Sequence, residues 1–209
     1  MSTCDYEYHI GSVGFKCLEL VHNRNVTRCM FHDINYLKGD NYEKHKEEVA
    51  NRFNRKLSKY RSNNMPLKFI GYCLPDTGYK FLNMKFNESV YFNKATFYGV
   101  ANFHNATFSK GANFSEAIFA NTAVFSEATF SEEGVSFYGA KFAKICSFNK
   151  AIFSGEAVFI GESIFSSVAD FNRAMFIKKS RLNKIYYPIK HTLIQLHSTK
   201  KHTLIKLYS

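Results

Sequence analysis

Three cysteines and a histidine fall within the first 32 residues of this 209-residue chain: Cys4, Cys17, Cys29 and His32. Cys29 and His32 form a Cys-x-x-His pair, a usual knuckle spacing for tetrahedral zinc. In such a site the thiolates stand at about 2.3 Å from the metal and the imidazole at about 2.0 Å. The segment is too short and too polar to fold alone, and a metal would supply what its core cannot. These four residues are the candidate ligands of a structural zinc, with His22 as the substitute should His32 not serve. Two other readings stay open at this point. The wide intervals before the Cys-x-x-His pair suit three ordinary thiols beside an incidental histidine. A disulfide scaffold would need a secreted protein. Met1 to Ile10 carries acids and a cysteine where a signal peptide needs a basic start and an apolar run, so a reducing, cytoplasmic location is expected.

Little else in the sequence could do chemistry. No Gly-rich phosphate loop follows a strand, and neither G-x-S-x-G nor H-E-x-x-H occurs. Glu132 and Glu133 are neighbours that point apart in a turn and make no acid/base pair. A zinc saturated by four protein ligands leaves no open position for water. Cys73 and Cys146 read as core residues and His104 as a solvated corner residue. The expectation is a protein that is not an enzyme.

The elements that must carry these residues are dominated by a repeat. The chain has 22 Phe and 13 Tyr but no Trp, and from Phe86 to Phe176 a Phe recurs at steps that mostly alternate six and five. Two positions before each Phe stands a small residue, most often Ala. Met84, Val90, Val135, Cys146 and Ser163 are the exceptions. An eleven-residue period could suit a helix, but at 100° per residue the Phe side chains would not share a stripe. As a strand, Ala-x-Phe puts Ala and Phe on one face and x on the other. Turn-prone residues such as Gly99, Asn105, Ser109–Gly111, Gly155 and Gly161 then make corners. Four such units make a square coil, so seventeen units give about four coils.

Units such as Ala95-Thr-Phe97, Ala101-Asn-Phe103, Ala112-Asn-Phe114 and Ala128-Thr-Phe130 resemble the pentapeptide-repeat family. The resemblance implies an all-β solenoid, a right-handed quadrilateral β-helix, over residues 81–176. The five–six alternation departs from the strict pattern and calls for some bulged or longer corners. The Cys/His segment followed by a charged helix and repeats is also similar to microbial pentapeptide-repeat proteins with a small Cys/His module in front.

Residues 1–80 are expected to form a small α-containing N-terminal cap. Asp40 can cap a helix from about Asn41 to Arg61, with Val49, Phe53, Leu57 and Tyr60 on one face. Leu67 to Leu74 reads as one strand leading into the first coil. The helix is placed to cover the open end of the solenoid, where unpaired backbone and Phe rings would otherwise be exposed. Residues 177–209 are a basic tail or cap, with Ile189, Leu193, Leu196, Leu204 and Leu207 as its apolar residues. His191–Ser198 is nearly repeated as His202–Ser209.

The formal net charge of +11 is uneven. Residues 1–80 carry 13 Lys and Arg against 9 Asp and Glu, residues 81–176 carry 7 against 8, and residues 177–209 carry 8 against none. Some members of the resembled family mimic DNA, which needs a strongly acidic rod; this rod is nearly neutral. The remaining functions are a protein-binding or structural scaffold, with a homodimer through the C-terminal end as one form. The alternative is a nucleic-acid-associated protein binding through the N-terminal module and Lys178, Lys179, Arg181, Lys184, Lys190, Lys200, Lys201 and Lys206. No apolar run is long enough to span a membrane.

Overall fold

In the computed structural model, which describes residues 2–10, 13–19, 21, 27–76, 81–161, 163–186 and 204–208, the repeat units are two-residue strands joined by corners. Four strands complete a turn, and each pairs in parallel with the strand one turn on. Val90, Ala112, Val135 and Ala157 follow one another on the first side. Thr96, Ile118, Lys141 and Ile164 do so on the second. Ala101, Ala123, Cys146 and Ala169 form the third. Lys85, Thr107, Thr129, Ile152 and Met175 form the fourth, as the spacing predicts. The fold is a β-solenoid.

Both Ala and Phe of each unit point inward and are buried. Because the ladders hold successive turns about 4.8 Å apart, each Phe lies flat on the Phe of the next turn. Phe81, Phe103, Phe125, Phe148 and Phe171 form one such column, with ring centroids 4.4 to 5.0 Å apart. Columns on opposite sides of the coil meet edge-on, as Phe92 does Phe103 at 72°, which suits the opposite polarity of ring face and ring edge. Ser163, the one polar residue in an Ala slot, donates its hydroxyl to the carbonyls of Phe137 and Ile160.

The five-residue steps turn tightly. The N–H of Ala95 reaches back to the carbonyl of Phe92 at 3.0 Å, and that of Ala106 to Phe103. The residue before the Ala takes a left-handed conformation: Asn105 at φ 53°, Glu116 at 58° and Lys150 at 55°. The long corner is closed by Gly134 at φ 84°, where a Cβ would overlap the backbone of Glu156.

The solenoid has five turns rather than four, because Leu67 to Leu74 is not one strand. It is two, Leu67–Lys68 and Cys73–Leu74, paired in parallel with Val90–Tyr91 and Thr96–Phe97. Gly71, at φ 69°, makes the corner between them. The five-residue step from Phe69 to Leu74 is a repeat step with Leu in the place of Phe.

Helix α1, Asn41–Ser62, buries Val49, Ala50, Phe53 and Leu57. Phe53 packs on Phe69 at 4.6 Å and meets Phe81 edge-on at 6.1 Å, so the helix covers the end of the solenoid. Tyr60 is half-buried against Phe69. Asp40 precedes the helix but its side chain makes no capping bond, because its backbone is already helical. The first donors instead go to the preceding turn, Asn41 N–H to Lys38 and Tyr42 N–H to Gly39.

At the other end, Arg181–Tyr186 pairs with Val158 and Ile164, and Leu204–Tyr208 lies parallel beside it. Ile189, Leu193 and Leu196 lie outside the described residues, as do Lys190, Lys200 and Lys201. No helix among the described residues is long and apolar enough to cross a membrane.

Candidate metal centre

The Cys/His segment lies over the first turn of the solenoid. Cys4 and Cys17 stand on facing stretches that lead into and out of a hairpin, strands β1 (Glu7–Ile10) and β2 (Val13–Lys16). The pairing continues past the hairpin, with Cys17 N–H bonded to the Tyr6 carbonyl and Cys4 N–H to that of Glu19. Cys29 and His32 share a tight turn in which the N–H groups of His32 and Asp33 both reach the Cys29 carbonyl at 2.9 Å. That turn is fastened to the solenoid by the N–H of Cys73, which bonds the Phe31 carbonyl at 2.8 Å.

All four candidate side chains are buried, and their ligand atoms lie within 4.8 Å of one another. Cys17 Sγ is 3.8 Å from Cys29 Sγ. His32 Nδ1 is 3.3 Å from Cys29 Sγ and 3.5 Å from Cys4 Sγ. A tetrahedral zinc site sets about 3.8 Å between two thiolates and about 3.6 Å between thiolate and imidazole nitrogen, given its bond lengths. The three observed separations fit those edges.

The surroundings fix the imidazole. His32 Nε2 donates to the Ile70 carbonyl at 2.8 Å, which leaves Nδ1 with its lone pair toward the thiols, the arrangement metal-binding histidines adopt. Tyr6 stacks on the ring at 4.0 Å and Tyr72 meets it edge-on at 5.0 Å. Tyr72 in turn stacks on Phe31 at 4.4 Å. Its hydroxyl accepts from Lys56 Nζ at 2.7 Å, and burial raises its pKa.

The thiols share their protons unequally. A hydrogen bond from Cys29 brings the Cys17 thiol down to about 4, against burial, with help from His32. The same bond, together with burial, holds the Cys29 thiol up, and burial raises that of Cys4. One thiolate is therefore favoured in the pocket, and further thiolates need a cation among them.

Other chemistry-bearing residues are scattered. Glu132 faces Lys178 at 3.6 Å, whereas Glu133 accepts from the Gly111 N–H at 2.9 Å. Cys73 and Cys146 are buried in the core, and His104 sits half-buried at a corner. His22 lies outside the described residues. Sequence reasoning missed Tyr6, Gly71 and Tyr72 around the cluster. The available signal was the register: Tyr72 fills the small-residue slot of the unit ending at Leu74, where a large ring must reach out of the coil.

Residues 81–129 match the family of pentapeptide repeats (9 copies). No curated protein matches the chain. The repeat match, the parallel four-sided ladders and the buried cluster agree: the chain carries a pentapeptide-repeat segment within a β-solenoid that has a Cys/His cluster at its N-terminal end.

Proposed function

We propose that the protein is a non-catalytic scaffold whose N-terminal end is fixed by a structural zinc, and whose outer sides hold a protein partner. The observation that carries the metal assignment is the convergence of Cys4, Cys17, Cys29 and His32, buried and with ligand atoms within 4.8 Å of one another, three of the separations being close to tetrahedral edges. Four ligands saturate zinc, so the ion would be structural, with no coordination position left for substrate. The inward positions of the rod are filled by Phe and small residues, which leaves the outward positions to do any binding. Those are mixed in character: exposed Lys85 and Met175 bracket half-buried Thr107, Thr129 and Ile152 on one side.

Metal analysis of the purified full-length chain tests the reading. One zinc per chain is expected, lost when Cys4, Cys17 and Cys29 are changed to Ser and His32 to Ala. The loss should come with proteolytic cleavage within residues 1–40 while the repeat stays protected. A well-folded protein that holds no metal would refute it.

A further inference from the structure

From Val49 to Pro75 the chain contains no Asp or Glu but six cations: Arg52, Arg55, Lys56, Lys59, Arg61 and Lys68. Arg52 and Lys56 turn toward the Cys/His segment and pair with Glu19. Arg55, Lys59, Arg61 and Lys68 are exposed, and the ion pairs among the described residues leave these four out. Lys85, also exposed, shares a hollow of about 270 Å³ with Arg61, Asn64 and Met65 at the helix end. The one carboxylate there, Glu88, is held by Lys110 at 2.7 Å. The end of the solenoid thus carries five cations that form no ion pair among the described residues, beside a rod that is nearly neutral.

What covers such a surface must be anionic, and its other features narrow the class. Asn51, Asn54, Arg55, Ser58 and Lys59 recur at helical spacing on the side of α1 opposite Phe53 and Leu57. This side presents amide, hydroxyl and cationic donors and no apolar group. The centre of a protein interface is more apolar than its rim and depleted of charge, unlike this side. An interfacial membrane helix would need a free apolar face, and that of α1 is already spent on Phe69 and Phe81. Phosphodiester oxygens ask for donors and positive charge alone. A helix some 10–12 Å across also matches the major groove of B-form DNA, about 12 Å wide, and not the deep, narrow one of A-form RNA.

We propose that the outer side of the last three turns of α1, extended by Lys68 and Lys85, binds the phosphate backbone of double-stranded DNA without reading its sequence. This surface is independent of the metal assignment.

Fluorescence polarisation of a labelled 24-base-pair DNA duplex, and of the matching RNA duplex, with the full-length chain tests this. Four or five phosphate contacts should cost a hundredfold or more in affinity between about 50 and 200 mM salt. R55Q/K59Q/R61Q should lower the slope of log affinity against log salt by about 2.7, with its unfolding midpoint unchanged. R55K/R61K should restore most of the lost slope. If the triple variant proves unstable, R55Q alone should lower the slope by about 0.9. Salt-dependent binding of the DNA duplex is expected, and binding of the RNA duplex alone would overturn the proposal. The proposal is overturned if neither duplex binds with salt dependence, or if the slope survives the triple variant. It is equally overturned if the slope disappears only in a K178Q/K179Q/K184Q/K190Q variant, or if phosphatidylserine vesicles bind where duplexes do not.

Discussion

At the scale of single residues, the buried cluster is a proton ledger as much as a ligand set. Without metal, burial keeps Cys4 protonated and its bond to Cys17 keeps Cys29 protonated, both above an ordinary thiol value of 9.0, while Cys17 lies far below it. Zinc needs all three as thiolates, so at neutral pH binding must release two protons. Raising the pH removes that competition. Zinc affinity, measured against a chelator, should therefore climb about a hundredfold per pH unit between pH 7 and 8; a flat profile would mean that the thiols are not the ligands. Gly71 is the second decisive residue. Its φ is 69°, and a Cβ there would overlap the hydroxyl of Tyr6, the ring stacked on His32. Gly71→Ala should cost about 1–2 kcal/mol in backbone strain alone and should also weaken zinc retention. Unchanged stability and retention in G71A would show that Tyr6 does not hold the imidazole. Cys29 and His32 were legible as a pair because Cys-x-x-His is a local spacing, whereas the fold is what brings Cys4 and Cys17 to them. The second layer was not legible, since Tyr6, Ile70 and Tyr72 reach His32 only through the fold.

At the scale of elements, the repeat could be read because its signal is periodic. Large and small residues alternate at fixed intervals, and only a short strand places both on one side. The element that misled was Leu67 to Leu74. Seen alone, it is an apolar run that suits one strand; seen in register, Phe69 and Leu74 are successive core positions with a Gly-bearing corner between. The helix was legible in extent, its start at Asn41 included, but not in its cap, because the turn before it supplies the bonds that an Asp40 side chain would otherwise make. How α1 grips the Cys/His segment was invisible, as it depends on one long-range contact. Glu19 lies between Lys56 and Arg52 of α1. Burial alone would raise its pKa, but the bond and charge of Lys56, with Arg52, outweigh that and lower it below 4.5. A carboxylate depressed in the folded state stabilises the fold above its unfolded value and loses that contribution as the pH falls through the folded one. Urea unfolding of Glu19→Gln should show a loss of about 1.5–3 kcal/mol at pH 7, with the difference from wild type vanishing toward pH 3. An equal difference at both pH values would mean that the loss comes from packing and not from charge.

At the scale of the whole molecule, the two ends of the rod are built on different physics. The five turns bury a Phe at most corners of their interior, each contributing about 1.5–3 kcal/mol before chain entropy is subtracted. The ladder that aligns them runs unbroken from Leu67 to Arg181. A column of stacked rings must be closed at its top, and helix α1 does this with Phe53. The segment beyond α1 has a smaller core, made by Val21, Met30, Phe31 and Leu37. It is held by the backbone bonds from Cys73 to Phe31, the pairing of Glu19 with Lys56, and the cluster of three thiols and an imidazole. A metal at that cluster would fix the strand pair to the end of the rod, whereas the cations of α1 sit on a helix that Phe69 and Phe81 already support. The central claim is that zinc binds there, through those four atoms. X-ray absorption at the zinc edge of the purified protein tests it most directly. The fold predicts a first shell of three sulfurs at about 2.3 Å and one nitrogen at about 2.0 Å. A shell of oxygen and nitrogen alone, or no zinc in the folded chain, would contradict it.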